Sequence, residues 1–397
     1  SICVVIRPRN VTLNQTYVFG ALIFGIGCGI IGFAPDMIEV LIGRAVQGFG
    51  AGLLVTMAYS FIRFVYPAGL QNAASAFYSA LWGVSVFLGP SVGGMFAEGS
   101  LWRWAFLGLI PLALIMALMA PKGLPAGEDD REPERVPFAQ IGLVLAAIMA
   151  VSFASTADAN VARTILIAFA LAVIAMLLGW ERRSSARLFP GQATWLSHPL
   201  SKTYLVMFLI IAALNSDIYA PYFLQTLHDV TPLLAGYIVA LVALGWTAAG
   251  LGTASFTGRR ALISIVAGAA LCAASTMTLG PVIGQNSPES HVAVVAISVL
   301  LFGMGAGIGL GWAHLVSLVL TQSDAAEADK ASASINLVQS LGAAFGAAAA
   351  GVIANTAGLA DPGGVEGAAR AALWLYVAMG SCGLVAVFVA TSLFRRT

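Results

Sequence analysis

The sequence predicts an all-α polytopic membrane protein, and three observations carry that reading. Of its 397 residues, 59% are hydrophobic and only 9% are charged, whereas a soluble domain is about 25% charged. The mean hydropathy is +0.91. The apolar residues fall in runs of about 17 to 25, separated by short polar stretches, which is the length a helix needs to cross the hydrocarbon core.

Taken in chain order, spans are expected near 17 to 34, 37 to 61, 72 to 97, 102 to 120, 138 to 155 and 161 to 180. Six more are expected near 203 to 227, 232 to 256, 261 to 284, 291 to 320, 331 to 357 and 367 to 394. Two connectors read as solvated loops. The stretch 121 to 137 holds Pro121, Pro125, Pro133 and Pro137 among eight charged residues, so it breaks helices and excludes burial. The stretch 181 to 202 carries Arg182, Arg183, Arg187 and Lys202.

Alternating these twelve spans across the bilayer places fifteen Lys and Arg side chains on one side and only Arg103, Arg163 and Arg370 on the other. The fifteen-residue side is then cytoplasmic, together with the C-terminus. Arg44 is the one basic residue left inside a span.

Composition also excludes classes. With a net charge of +1 and its basic residues scattered between spans, the chain offers no nucleic acid a binding stripe. Cys3, Cys28, Cys272 and Cys382 stand singly, so no metal or redox site is expected. No nucleotide-binding glycine motif occurs, which leaves an ion gradient as the energy source and no cofactor. No Ser/His, paired-carboxylate or HExxH arrangement lies at membrane depth, so an enzyme is not expected.

Arg44 opens the segment Arg44-Ala-Val-Gln47-Gly48-Phe-Gly50-Ala-Gly52. A buried cation there costs about 2.5–3.5 kcal/mol on insertion scales and needs a partner or water. Gln47 and Gly48 share its helical face, the glycine leaving room beside the charge. The next span contains Gly83-Val-Ser-Val-Phe-Leu-Gly89-Pro90-Ser-Val-Gly93-Gly94, which reads as a bent helix that packs closely.

Asn215-Ser216-Asp217-Ile-Tyr219-Ala-Pro221-Tyr222 lies in the middle of the span at 203 to 227, and Asp217 is the acidic residue placed deepest in the bilayer. An intramembrane carboxyl favours its protonated form unless paired, so it suits proton uptake and release. In a continuous helix Asp217, Pro221 and Gln225 share one face with Tyr222 beside them. His314, in Gly311-Trp312-Ala313-His314, is a second titratable candidate, equally readable as a strut between helices. Tyr219, Tyr222, Trp246 and Trp312 suit a planar or cationic ligand, and equally suit anchoring at the lipid interface. Glycines alternating from Gly303 to Gly311 are expected in a flexible or closely packed helix.

The Arg44 segment and the Gly83–Gly94 segment together resemble the fourth-helix arginine motif and the fifth-helix antiporter motif of the major facilitator superfamily. Leu101-Trp102-Arg103-Trp104-Ala105-Phe106 resembles an aromatic segment of its fourteen-helix drug:proton antiporter branch. That resemblance implies twelve visible helices of fourteen, the first two being absent. It divides the chain into an incomplete N-terminal bundle at 1–120, a linker with two extra helices at 121–202, and a C-terminal six-helix bundle at 203–397.

The family's loop motif should precede residue 17. Ile6-Arg7-Pro8-Arg9-Asn10-Val11-Thr12 stands there, with two arginines but neither its Asp nor its glycine.

By resemblance the expected function is proton-coupled export of small hydrophobic or cationic compounds by a monomer in the inner or plasma membrane. Asp217, Arg44, Gln47, Asn215, Tyr219, Tyr222 and His314 would serve proton coupling and substrate. Gly83, Gly89, Pro90, Gly93 and Gly94 would shape the hinge helix. The alternatives are a proton-coupled importer of a small organic solute and a truncated, inactive remnant.

Overall fold

The computed structural model describes residues 12–65, 101–124, 137–157, 160–184, 187–195, 197–288, 290–324 and 327–394, with short pieces between 67 and 96. Among these residues every regular element is helical, and eleven helices are long and apolar enough to cross a membrane. Their ends agree with the expected spans to within about one helical turn. The expected span near 72 to 97 lies largely outside the described residues. The chain forms two compact units, Ser1–Val136 and Pro137–Thr397.

The first unit contains α1 (Leu13–Phe33), α2 (Met37–Val65), α3 (Trp102–Leu107) and α4 (Leu109–Gly123). Thr12 starts α1 with a reciprocal cap: its hydroxyl accepts from Gln15 N–H at 3.2 Å, and its own N–H donates to the Gln15 side chain at 2.9 Å. Asp36 starts α2, its carboxylate accepting from the N–H of Ile38 at 2.7 Å. A hydrogen bond with the Glu39 carboxyl and those to backbone N–H groups hold Asp36 below the usual carboxylate range.

Helices α1 and α2 cross where glycines remove side chains from the seam. A Cβ on Gly50 would lie 2.8 Å from the Gly20 carbonyl oxygen, and one on Gly27 would overlap the Gln47 backbone. In lipid no hydrophobic force drives two apolar helices together, so such close backbone approach is what holds them. Arg103 closes the end of α1, donating to the Ala34 carbonyl at 2.9 Å while its guanidinium lies 4.5 Å from the Trp102 ring centroid.

The second unit begins with the hairpin of α5 (Phe138–Thr156) and α6 (Asn160–Arg183). Then follow α7 (Pro199–Leu214), a 3₁₀ turn (Asn215–Tyr219), α8 (Ala220–His228), α9 (Pro232–Thr253), α10 (Gly258–Ile283), α11 (His291–Gln322), α12 (Ala328–Thr356) and α13 (Gly364–Thr391). Helix α5 packs on both α6 and α12. Two polar ties secure its end: Asn355 donates to the Ser155 carbonyl at 2.6 Å, and Arg163 reaches the Ala157 carbonyl at 2.8 Å and the Thr356 hydroxyl at 3.0 Å. Asn355→Leu is therefore expected to cost about 1 kcal/mol, read as a lower unfolding temperature of the purified protein in detergent.

Helix α11 explains its alternating glycines. Two residues advance a helix by about 200°, so every second glycine lands on the opposite face. Gly305 and Gly309 face α9, where a Cβ would lie 2.9 Å from Val242 Cα and 3.0 Å from Gly250 N. Gly307 and Gly311 face α10, at 2.8 Å from Cys272 Cα and 3.2 Å from Ile265 Cα. The helix is thus closely packed on two sides at once.

Buried side chains of this unit form two clusters. One contains Phe223, Leu224, Leu227, Leu279, Ile283 and Tyr376; the other contains Tyr204, Met207, Ile210, Ile265, Ile308 and Leu315. Residues of α7 belong to the second and residues of α8 to the first, so the 3₁₀ turn between them lies where the clusters meet. Outward faces are apolar, with Val292 80% and Leu251 75% exposed. Water does not solvate such surfaces at this density, whereas lipid does.

Candidate functional site

In the first unit Arg44 stands seven residues past the start of α2, about 10 Å along the axis. Its guanidinium donates to Gln47 Oε1 at 3.2 Å and lies 4.8 Å from the Phe106 ring centroid. Gln47 is buried and donates in turn to Cys28 Sγ on α1 at 3.2 Å. The cation is therefore held by one amide, which shares its helical face as expected, and by an aromatic face from α3. A Cβ on Gly48 would meet no atom within 4 Å among the described residues.

Of the antiporter-like segment, Gly83 and Pro90 lie outside the described residues. Gly89 and Gly93 are exposed and Gly94 is buried, all three within helical pieces.

In the second unit the structure corrects one geometric expectation. The span through Asp217 is not a continuous helix, because Pro221 has no N–H to bond the Asp217 carbonyl four residues back. The Ala220 N–H takes that carbonyl instead, and the chain tightens into the Asn215–Tyr219 turn. The periodic face through Asp217, Pro221 and Gln225 is consequently interrupted.

Local polar groups are occupied in holding the turn. Asn215 Nδ2 donates to the Ile211 carbonyl at 2.8 Å, and Ser216 Oγ to the Ala213 carbonyl at 2.7 Å. The Asp217 side chain is half-buried. Just beyond it in the chain, Tyr219 stacks on Phe223 at 6.3 Å between centroids, and Tyr222 meets the same ring edge-on at 5.7 Å.

Tyr219 and Tyr222 thus meet on Phe223, while Asn215 and Asp217 lie in the turn that precedes it. His314 contacts a different group: its ring stacks on Phe256 of the α9–α10 connection at 6.5 Å. Its Nε2 is buried without a hydrogen-bond partner among the described residues. Trp246 and Trp312 pair with each other at 5.4 Å.

Two residues of the Asp217 region were missed in the sequence. Phe223 is the ring on which both tyrosines rest, and Tyr376 of α13 meets it edge-on at 6.2 Å. The available signal was a hydroxyl-bearing ring inside the apolar run Leu373-Trp374-Leu375-Tyr376. Gly351 of α12 was missed as well. A Cβ there would lie 3.1 Å from both Tyr219 Oη and Ser155 Cβ, so its bareness admits the tyrosine. Gly351→Val is expected to destabilise the protein by about 1–3 kcal/mol through overpacking against Tyr219 and Ser155. Thermal unfolding of the purified protein in detergent checks this.

The sequence model described as Major Facilitator Superfamily matches residues 14–347. A Mycobacterium tuberculosis protein described as "Probable multidrug-efflux transporter Rv1634" is 35% identical over 396 residues, covering 98% of this chain and 83% of that relative. "Multidrug resistance protein 3" of Bacillus subtilis is 25% identical over 244 residues, covering 58% of this chain and 46% of its own. Among solved structures, a POT family transporter in complex with a thioalcohol-conjugated peptide superposes with a TM-score of 0.66 at 13% identity, covering 97% of this chain and 82% of that one. That likeness bears on the fold alone.

Proposed function

This chain belongs to the major facilitator superfamily of membrane transporters, and from that premise we propose that it exports small hydrophobic or cationic compounds in exchange for protons. It is a multi-pass, non-enzymatic transporter of small molecules. The observation that carries the finer reading is the carboxyl of Asp217, set on an unwound turn near the middle of the Pro199–His228 span and followed along the chain by Tyr219 and Tyr222, which both rest on Phe223.

A carboxyl at such depth is costly to keep ionised, so it binds a proton or a cation according to what faces it. Tyrosine faces attract cations and accept planar apolar groups. One site therefore suits either a proton or a lipophilic cation, which is the competition an antiporter needs. As access alternates between the two sides of the membrane, protonation on one side releases the compound, and deprotonation on the other readies the site again.

Names of the relatives support efflux over uptake. The α5–α6 hairpin before α7 supports the fourteen-helix drug:proton branch. Arg44, held by Gln47 and Phe106, is the coupling residue in this reading, with the Gly89–Gly94 segment as hinge. His314 is a second, separate titratable group. The fifteen basic residues on one side support a cytoplasmic C-terminus in the inner or plasma membrane; a monomer is the working state, powered by the proton gradient without a cofactor.

The test is expression in an efflux-deficient host loaded with a fluorescent lipophilic cation. Extrusion that stops on adding a proton uncoupler is expected. Accumulation instead of extrusion would make the chain an importer, and uncoupler-insensitive extrusion would exclude proton coupling.

A further inference from the structure

Tyr376 presents a polar group that the packing of its helix does not use. Its side chain is fully buried in the cluster around Phe223, and its hydroxyl has no hydrogen-bond partner among the described residues. Buried polar atoms are nearly always paired, so an orphan calls for an explanation. Removing the oxygen would leave the edge-on contact of the ring with Phe223, at 6.2 Å, intact. Packing alone therefore explains a phenylalanine here but not a tyrosine.

The position of the ring supplies the explanation. Helix α13, which carries Tyr376, packs against the Asn215–Tyr219 turn, which carries Asp217. Phe223 links the two sides, meeting Tyr376 and Tyr222 in edge-on contacts and Tyr219 in a stacked one. The turn itself lacks regular α-helical hydrogen bonding, so it is the part of this span best able to shift. A transporter has at least two conformations, so a donor orphaned in one can be paired in another.

We propose that Tyr376 is a positioning residue for Asp217, its hydroxyl donating a hydrogen bond to the ionised carboxylate in the conformation that has released its proton. This rests on the reading of Asp217 as the proton carrier. The proton lost by Asp217 goes to water on the open side; Tyr376 keeps its own throughout. When Asp217 is protonated the bond is given up and the hydroxyl returns to its orphaned place, so each protonation state favours a different packing of the turn against α13.

Other titratable groups on the elements packed against the turn stand farther off. Lys202 and Tyr204 of α7 and His228 of α8 are 11 or more residues along the chain from Asp217, about 16 Å or more at helical rise. Lys330 begins α12, far from the level of Gly351. On α13, Glu366 and Arg370 pair with each other at 3.6 Å, and Cys382 lies six residues beyond Tyr376. Tyr219 and Tyr222 are the remaining hydroxyls next to Asp217 along the chain, and neither is fully buried.

Tyr376→Phe in the full chain tests this, with the parent and Asp217→Asn measured alongside. Proton-driven efflux of the lipophilic cation is followed across pH in reconstituted vesicles. A carboxylate that loses a donor holds its proton to higher pH, so the pH profile is expected to move upward by about one unit or more, with neutral-pH transport reduced about tenfold. Thermal stability should not fall, since the change deletes an orphaned oxygen. Site-specific fluorotyrosine at 376, a stronger donor of the same shape, is expected to move the profile the opposite way, and it keeps the proposal testable should the phenylalanine variant assemble poorly.

A parental profile in Tyr376→Phe, or the same profile with fluorotyrosine, would overturn the proposal. If Asp217→Asn retains uncoupler-sensitive efflux, the underlying reading of Asp217 fails instead. An unchanged Tyr376→Phe beside an inactive Asp217→Asn removes only the role of the tyrosine.

Discussion

Asp217→Asn is expected to abolish proton-driven efflux while leaving the protein folded. Asparagine has nearly the same shape, and the hydrogen bonds of the turn are made by Asn215, Ser216 and the Ala220 N–H, which do not depend on the Asp217 side chain. What disappears is the ability to change charge. A charge at this depth is worth about 2.5–3.5 kcal/mol, so making the residue permanently neutral removes about a hundredfold bias between loaded and unloaded states. The measurement is uncoupler-sensitive extrusion at matched expression, with size-exclusion profiles as the control for folding. Parental extrusion by the variant would remove Asp217 from the mechanism.

Gly305→Leu is expected to prevent assembly of the second unit. A Cβ at Gly305 already overlaps the Val242 carbonyl, and α11 cannot retreat because Gly307 and Gly311 press its other face on α10. Overpacking usually costs about 1–3 kcal/mol where neighbours can yield. Here the obstacle is backbone on both sides, and a larger loss is expected. Gly142→Leu on α5 is the control, since a Cβ there meets no atom within 4 Å among the described residues; its effect should stay within about 0.5 kcal/mol. The folded fraction after detergent extraction compares the two, and equal yields would show that α11 is more loosely held than its geometry indicates.

Helix positions were legible because hydrocarbon imposes a length and an apolar composition on each span, and both are properties of a local stretch of chain. The pairing of Arg44 with Gln47 was legible for a similar reason, three residues being one helical turn. Asp217 was singled out by the cost of charge in lipid, which no neighbour needs to be known to state. Pro221 also stood in plain view. Its consequence, the 3₁₀ turn that breaks the periodic face, depends on which carbonyl the chain then bonds, and that is settled by packing.

By itself the sequence determined an all-helical membrane protein, the location of its spans, and the one carboxyl placed deepest within them, because each follows from hydropathy and charge along the chain. The tertiary structure alone decided which glycines of α11 face α9 and which face α10, that Phe106 covers Arg44, that Gly351 makes room for Tyr219, and that Tyr376 meets Phe223. Those are contacts between distant segments. Inside lipid, where apolar surfaces do not discriminate among partners, they are selected by the close fit of small residues and a few polar groups.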